Sequence, residues 1–336
     1  MRIRIVVDIM SGDNTPESLI KGAGKAAVDF GVDIIIVGDS KYSALVPDNE
    51  FMKFVPSYSI IQMTDDPLTV LKEKNDSSMA TACALLRDGG ADALVSSGNT
   101  GALFTAASLM IRRVRGVRRA ALGTVLPLEN PFIMVDVGAN LDAKPEILLQ
   151  FGKMGSLYAK GVLGIENPRV ALLNNGAEDT KGTPLYSEAY ALLKADDSIN
   201  FIGNCEGREL PNNFCDVVVC DGFTGNIALK LIEGMGAFMS RKIKNIFHKN
   251  VISRFAGLIT RRSTIALKKQ MDHKEYGGAP FLGISKPVIK AHGSSDEKGI
   301  YSAIRQAKLF YESGIIEKMI SINKNKDAQE EVRHEL

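Results

Sequence analysis

A chain of 336 residues with 45% hydrophobic and 24% charged side chains has the composition of a globular protein that buries a sizeable core. A formal net charge of +2, with no Trp, eight Tyr and 14 Phe, excludes a surface that is basic all over and leaves few rings on which bases could stack. The four cysteines, Cys83, Cys205, Cys215 and Cys220, form no C-x-x-C pair and fit the reduced, buried thiols of a cytosolic protein better than a disulfide frame or a zinc site.

The first apolar run, residues 3–7, meets Asp8 at once and has no cleavage site, so it reads as a strand and not as a signal peptide. Similar β-branched runs predict strands at 34–37, 93–96, 121–126, 133–137, 170–173, 217–220 and 288–290. Helical spacing predicts helices over 16–29, 77–87, 100–113, 144–160 and 296–313. The strands are apolar throughout rather than alternating, as strands covered on both faces are. Alternation of the two element types predicts an α/β protein, a three-layer α/β/α sandwich around a mostly parallel, doubly wound sheet, with one domain over 1–320. The longest charge-free stretch, 93–111, contains Ser-Ser-Gly-Asn-Thr-Gly, whose polar groups exclude it as a membrane span. The polar, charged tail, 321–336, is expected to fray.

Six strands run into loops of Gly and small polar residues: DIMSGD from Asp8, SSGNTG from Ser96, DVGAN from Asp136, NNGAED from Asn174, CDGFTGN from Cys220 and KAHGSS from Lys290. If those strands are parallel, the loops gather along a single rim, the edge at which open α/β sheets bind ligands. Gly and Asn alone supply turns and caps. Turn chemistry, however, has no need of Asp, Lys and His in the same loops. Two of the loops share G-x-T-G, at 98–101 and 222–225, each opening a helix whose first N–H groups attract phosphate. An anion site is the reading. G-x-x-x-x-G-K-[ST], a full G-x-G-x-x-G after the first strand, G-x-S-x-G and a His pair at metal spacing are all missing, so nucleotide, serine-esterase and zinc-hydrolase chemistry have no signature.

The positive charge is concentrated. Residues 241–270 hold nine Lys or Arg and no Asp or Glu, and the rest of the chain holds 32 basic against 39 acidic residues. Val251, Ile252, Phe255, Leu258 and Ile259 fall on one helical face, with Arg254, Arg261 and Arg262 among them. A helical hairpin over 228–272 is predicted, and two readings of it stand side by side. Its apolar face meets anionic lipid through Phe255, Leu258 and Ile259, or it makes a dimer contact; both hold if the shaft dimerises and the tip touches lipid. Nucleic acid is the weaker third reading, because aromatic residues are scarce here.

The loop motifs, taken in order, resemble the bacterial acyl-acyl-carrier-protein:phosphate acyltransferases of phospholipid synthesis. The stretches that carry the resemblance are DIMSGD at Asp8, KNDSSM at Lys74, SSGNTGA at Ser96, DVGANLDAKPE at Asp136, EDTKG at Glu178, CDGFTGN at Cys220, EYGGAPFLG at Glu275 and KAHGSS at Lys290, spanning about 1–318. The family usually has Ala and Gly where Ile9 and Ser11 stand, and Lys or Arg in place of Asn75. The resemblance implies a sheet like that of phosphotransacetylases and isocitrate-type dehydrogenases, a homodimer, and chemistry without metal or nucleotide cofactor. Acyl carrier protein would pass its thioester-bound acyl group to inorganic phosphate, and the acyl phosphate would feed a membrane glycerol-phosphate acyltransferase from the cytoplasmic face of the membrane.

Within that resemblance, Lys181 is expected to hold and orient phosphate and the Asn226 amide to polarise the acyl carbonyl. Phosphate oxygen is already a competent nucleophile towards a thioester, so no covalent intermediate is needed. Ser97, Gly98, Asn99 and Thr100 are expected to bind phosphate with their loop amides. Asp8, Asp136 and Asp221 are expected at the phosphate and substrate site as positioners of loops and donors, and Asn140, Thr224 and Ser294 among its binding residues. His292 either protonates the departing thiolate or braces its loop. The rival readings are a phosphotransacetylase using acyl-CoA, a dehydrogenase lacking any dinucleotide fingerprint, and a non-enzymatic basic scaffold on a membrane surface.

Overall fold

The computed structural model describes residues 2–270 and 277–321. The expectations for the tail beyond Ser321 and for the last residues of the hairpin lie outside the described residues. Eleven strands form one sheet in the order β3-β2-β1-β4-β11-β10-β5-β6-β9-β7-β8. They are β1 (Arg4–Asp8), β2 (Asp33–Gly38), β3 (Met52–Pro56), β4 (Ala93–Ser96), β5 (Ala121–Leu126), β6 (Phe132–Val135), β7 (Arg169–Asn174), β8 (Asn200–Glu206), β9 (Val217–Val219), β10 (Ala279–Leu282) and β11 (Val288–Lys290).

Residues alternate between two apolar layers, one on each face. Ile5 and Val7 join one cluster with α1 (Pro16–Phe30), α4 (Pro145–Val162), α5 (Pro184–Lys194) and α9 (Glu297–Glu312). Val6 faces the other cluster, with α2 (Ser78–Arg87) and α3 (Thr100–Ala106). Val217 and Val219 against Val218 repeat the alternation at the far end of the sheet. Strands buried on both faces explain the unbroken apolar runs, and the three-layer α/β/α sandwich holds.

The single rim does not hold. β3, β2, β1, β4 and β11 are mutually parallel, and so are β6, β9, β7 and β8. Between the two blocks, β10 is antiparallel to both β11 and β5, and β5 is antiparallel to β6. The blocks therefore run in opposite directions, and their carboxyl ends lie at opposite edges of the sheet. The cause is chain length. Only residues 127–131 join β5 to β6, and only 283–287 join β10 to β11, whereas a parallel crossover takes a dozen or more.

Three further differences stand out. The helix expected over 100–113 is α3 followed by a π-helical turn, Ala107–Ile111, which ends where Arg112 takes a φ of 74°. Strands β3, β8 and β10 were not predicted; β3 and β8 are the two sheet edges, and β10 contains Pro280. The basic hairpin is three helices: α6 (Gly222–His248, 27 residues), α7 (Val251–Ile259) and α8 (Arg261–Gln270). The four cysteines are buried and unpaired. Among the described residues, no helix is long and apolar enough to cross a membrane.

Candidate active site

At the first rim, three loops are tied together from within. The buried Asp8 carboxylate accepts from the Met10 amide (3.1 Å) and the Ser96 hydroxyl (2.8 Å), and the same hydroxyl accepts from the Gly98 amide (3.2 Å). Asp13 donates its amide to the Gly293 carbonyl at 2.9 Å. Ser11 crowds the loop after β4: its Cβ lies 2.4 Å from where a side chain on Gly98 would begin, so this position accepts Ser only because residue 98 is Gly. The Asn99 side chain is fully engaged. Its oxygen caps α3 at the Ala102 amide (3.1 Å), while its NH₂ reaches the carbonyls of Gln62, Met63 and Asp65. Asn99 thus braces the 62–65 loop rather than offering its side chain to an anion. His292 Nδ1 lies 2.8 Å from the Ser294 hydroxyl and accepts from the Ser294 amide at 3.2 Å, a turn that fixes the imidazole.

At the second rim, Asp136 organises its own loop. Its Oδ1 accepts from the amides of Leu122, Gly138 and Ala139, each at 3.1 Å, and its Oδ2 from the Asn140 amide and side chain, both at 2.7 Å. Burial raises its carboxyl above the usual range, and the Asn140 and backbone donors oppose that rise. The Asn140 carbonyl accepts from the Gly222 amide at 2.7 Å, seating the start of α6 on this loop. That approach needs Gly at both ends of G-x-T-G. A Cβ at Gly222 would stand 2.6 Å from the Asn140 carbonyl oxygen, and one at Gly225 would stand 1.9 Å from that of Asp136.

The repeated G-x-T-G is therefore a packing device here, and its helix start is already filled. Asp221 accepts from the amides of Phe223 and Thr224 (2.9 Å each), from the Thr224 hydroxyl (2.7 Å) and from the Tyr186 hydroxyl (2.5 Å). Burial alone would raise the Asp221 carboxyl, but these donors outweigh it and hold the group below the usual carboxylate range. Asp221 and Thr224 cap α6 with a charge of their own, so this N-terminus is not open to a second anion.

A cavity of about 380 Å³ joins the two rims. Leu122, Thr124 and Val125 of β5 line it, with Gly98, Thr100, Lys290, His292, Gly293 and Ser295, and with Val137, Gly138, Asn226, Leu229, Lys230 and Glu233. Asn226 lies beside Gly138, its amide carbon 3.6 Å from where a Cβ there would sit. Lys181 is outside this wall. It sits on the loop after β7, its side chain 49% exposed and its ammonium 4.0 Å from Glu178. Because β7 neighbours β9, that loop belongs to the same rim as Asn226. Met63 also lines the cavity, held there through Asn99.

Two lysines of the cavity were not singled out from sequence. Lys230, one turn beyond Asn226 on α6, pairs with Glu233 at 2.7 Å. Lys290 ends β11 and is only 8% exposed; its ammonium donates to the carbonyls of Ser97 (3.2 Å) and Ala291 (2.5 Å). Burial lowers its pKa to about 8, against the pull of Asp13 and Asp8, with Lys230 adding to the fall. The signal was available: a lysine directly after the apolar Pro-Val-Ile and before Ala-His-Gly is a charge carried into a buried strand.

This α/β sheet, with antiparallel strands between two parallel blocks, is similar in fold to solved phosphotransacetylases. The phosphotransacetylase of Streptococcus pyogenes superposes with a TM-score of 0.59 at 16% identity, covering 92% of this chain and 94% of that one. A branched-chain phosphotransacylase from Enterococcus faecalis gives 0.55 at 15%, covering 92% and 99%. At those identities the likeness concerns the fold. Sequence carries the rest. The family described as fatty acid synthesis protein matches residues 3–318. A phosphate acyltransferase of Bacillus pumilus is 43% identical over 337 residues, covering 99% of this chain and all of the relative. One from Staphylococcus aureus is 42% identical over 320 residues, covering 94% and 97%. The chain belongs to this family of acyltransferases.

Proposed function

We propose that the protein transfers a fatty acyl group from the thioester of acyl carrier protein to inorganic phosphate, releasing acyl phosphate. The observation that carries this reading is the cavity, which is apolar at Leu122, Val125, Val137 and Leu229 and cationic at Lys290, with the Asn226 amide in its wall. An acyl thioester and a dianion are the two ligands such a lining fits. Asn226 polarises the acyl carbonyl, and Lys181, on the neighbouring loop, supplies a cation for the attacking phosphate. Phosphate oxygen bonds to the carbonyl carbon, the carbon–sulfur bond breaks, and the sulfur leaves as thiolate. Replacing Asn226 by Ala should lower kcat by about 10²–10³, the usual worth of an oxyanion donor, with the fold intact; a loss under about tenfold would remove it from that role.

The apolar stripe of α6 extends the proposal. Phe223, Ile227, Leu231 and Met235 recur every four residues and are half or more exposed, a surface suited to a second copy of this chain. Beyond it, Phe255, Leu258 and Ile259 on α7 are exposed beside Arg254, Arg261 and Arg262, which suits the anionic inner face of a membrane, where a glycerol-phosphate acyltransferase would take up the acyl phosphate. Leu258→Glu should abolish binding to anionic liposomes and spare turnover of acyl carrier protein substrate in solution. Unchanged binding would reject the lipid contact. Acyl-CoA competes as donor in the phosphotransacetylase reading, and its turnover at a rate equal to that of acyl carrier protein would favour it.

A further inference from the structure

We infer that Lys290 is a phosphate-holding residue of this cavity, a second cation for the attacking dianion. The inference rests on the acyl-transfer reading and deepens it, since it says which end of the cavity the phosphate occupies. Three observations lead there. The first is the cation itself, buried at the end of β11 in the cavity wall. Among the described residues it makes no ion pair, and the two donors it uses go to neutral carbonyls, those of Ser97 and Ala291. An ammonium has three donors. Asp8 and Asp13 pull on this charge without pairing with it, so its burial is only partly offset, and an anion arriving in the cavity offsets it further.

The second is the segregation of the lining. The loops after β4 and β11, the second of which follows Lys290, give the wall Gly98, Thr100, Gly293 and Ser295, small groups that let an anion come close to backbone. The apolar side chains Leu122, Val125, Val137 and Leu229 line the remainder, together with Asn226. Phosphate therefore belongs at the Lys290 end, and the thioester at the Asn226 end.

The third is the Ser97 hydroxyl. Ser97 is fully buried, its carbonyl holds Lys290, and its hydroxyl has no hydrogen-bond partner among the described residues. It occupies the space beside Gly12, 2.3 Å from where a side chain there would begin. The residue whose carbonyl holds the buried ammonium thus also carries a buried polar group left unsatisfied. Lys230 is the weaker candidate for the same task, because Glu233 already neutralises it at 2.7 Å.

The test separates charge from bracing. Lys290→Gln keeps an N–H donor for the Ser97 and Ala291 carbonyls and removes the charge, whereas Lys290→Met removes both. Both variants should raise the KM for inorganic phosphate and weaken its direct binding, measured calorimetrically, by at least about tenfold, the worth of one charge-assisted hydrogen bond. The KM for the acyl donor should stay within about threefold. A Gln variant with normal phosphate KM would overturn the assignment, since bracing alone would then explain Lys290. Should both variants fail to fold, the wild-type protein decides. Inorganic phosphate should protect Lys290 from an amine-acylating reagent, scored by peptide mass spectrometry, and equal labelling with and without phosphate would refute the site. A wild-type protein that binds phosphate at Lys290 yet forms no acyl phosphate would instead refute the acyl-transfer reading and leave the site standing.

Discussion

Asp136 offers the sharpest test of how the second rim is held. Five N–H groups converge on its two oxygens, and the loop they shape seats both Gly138 and the first turn of α6. Asp136→Asn exchanges one oxygen for an NH₂ at nearly constant volume. Placed on the Oδ1 side, the new amide would face three backbone donors; on the Oδ2 side it would face only the Asn140 amide and side chain. The second placement costs less but is not free. Asn140 could rotate its partnerless Oδ1 towards the new NH₂, at the expense of the 2.7 Å bond from its own Nδ2 to the Ala120 carbonyl. Even the cheaper placement leaves about two buried donors or acceptors unmade, at about 1–3 kcal/mol each, so a loss of about 2–6 kcal/mol is expected. Denaturant unfolding followed by circular dichroism measures it. kcat should fall as well, because Gly138 and Asn226 share this loop's geometry. A variant within about 0.5 kcal/mol of wild type would show that the network does not hold the rim, and would remove the structural basis given for Asn226.

Gly225→Ala puts a methyl 1.9 Å from a backbone oxygen and should cost more than the usual ~1–3 kcal/mol of overpacking, read as a lowered Tm with reduced activity; a wild-type Tm would contradict the close approach. Acid should destabilise the fold through Asp216, Asp92 and Asp221, all held below the usual carboxylate range. In each case hydrogen bonds, from Arg169, Arg4 and Tyr186 respectively, outweigh the upward push of burial. A depressed folded pKa gives stability that is complete above the unfolded value and lost as pH falls through the folded one, so unfolding titrations should steepen below about pH 4. Asp216→Asn should flatten part of that loss. Phosphate affinity should decline as pH rises through about 8, where Lys290, among Asp8, Asp13, Lys230 and His292, gives up its proton. A flat affinity from pH 7 to 9 would contradict a charged Lys290 in the site.

Much of this fold can be read from residues alone, because strands covered on both faces leave uninterrupted apolar runs such as Ile5-Val6-Val7 and Val217-Val218-Val219. What escapes is direction. Six Gly-rich loops share one rim only if all their strands are parallel, and the five residues between Leu126 and Phe132 are too few for a parallel crossover. That spacing was a legible sign of the reversal. Edge strand β3 ends in Pro56 and half-exposes its side chains, so its apolar signal is weak. The site shows the same division. Asp8, Asp136 and Asp221 sit where positioning carboxylates were expected, each spending its oxygens on loop donors. Asn99 and Thr224 carry the residue types of an anion loop but use them as a brace and a cap, a choice that depends on partners 34–37 residues away or on a neighbouring carboxylate. Lys290 is legible as a charge at the end of a buried apolar strand, whereas its place in a cavity wall depends on the residues of β5 and of the loop after β4 that line the same cavity.

Purified protein incubated with palmitoyl-acyl carrier protein and ³²P-labelled inorganic phosphate should yield labelled acyl phosphate and free acyl carrier protein in equal amounts, with Asn226→Ala strongly impaired. Release of free fatty acid without labelled acyl phosphate, or no turnover of the thioester at all, would contradict it.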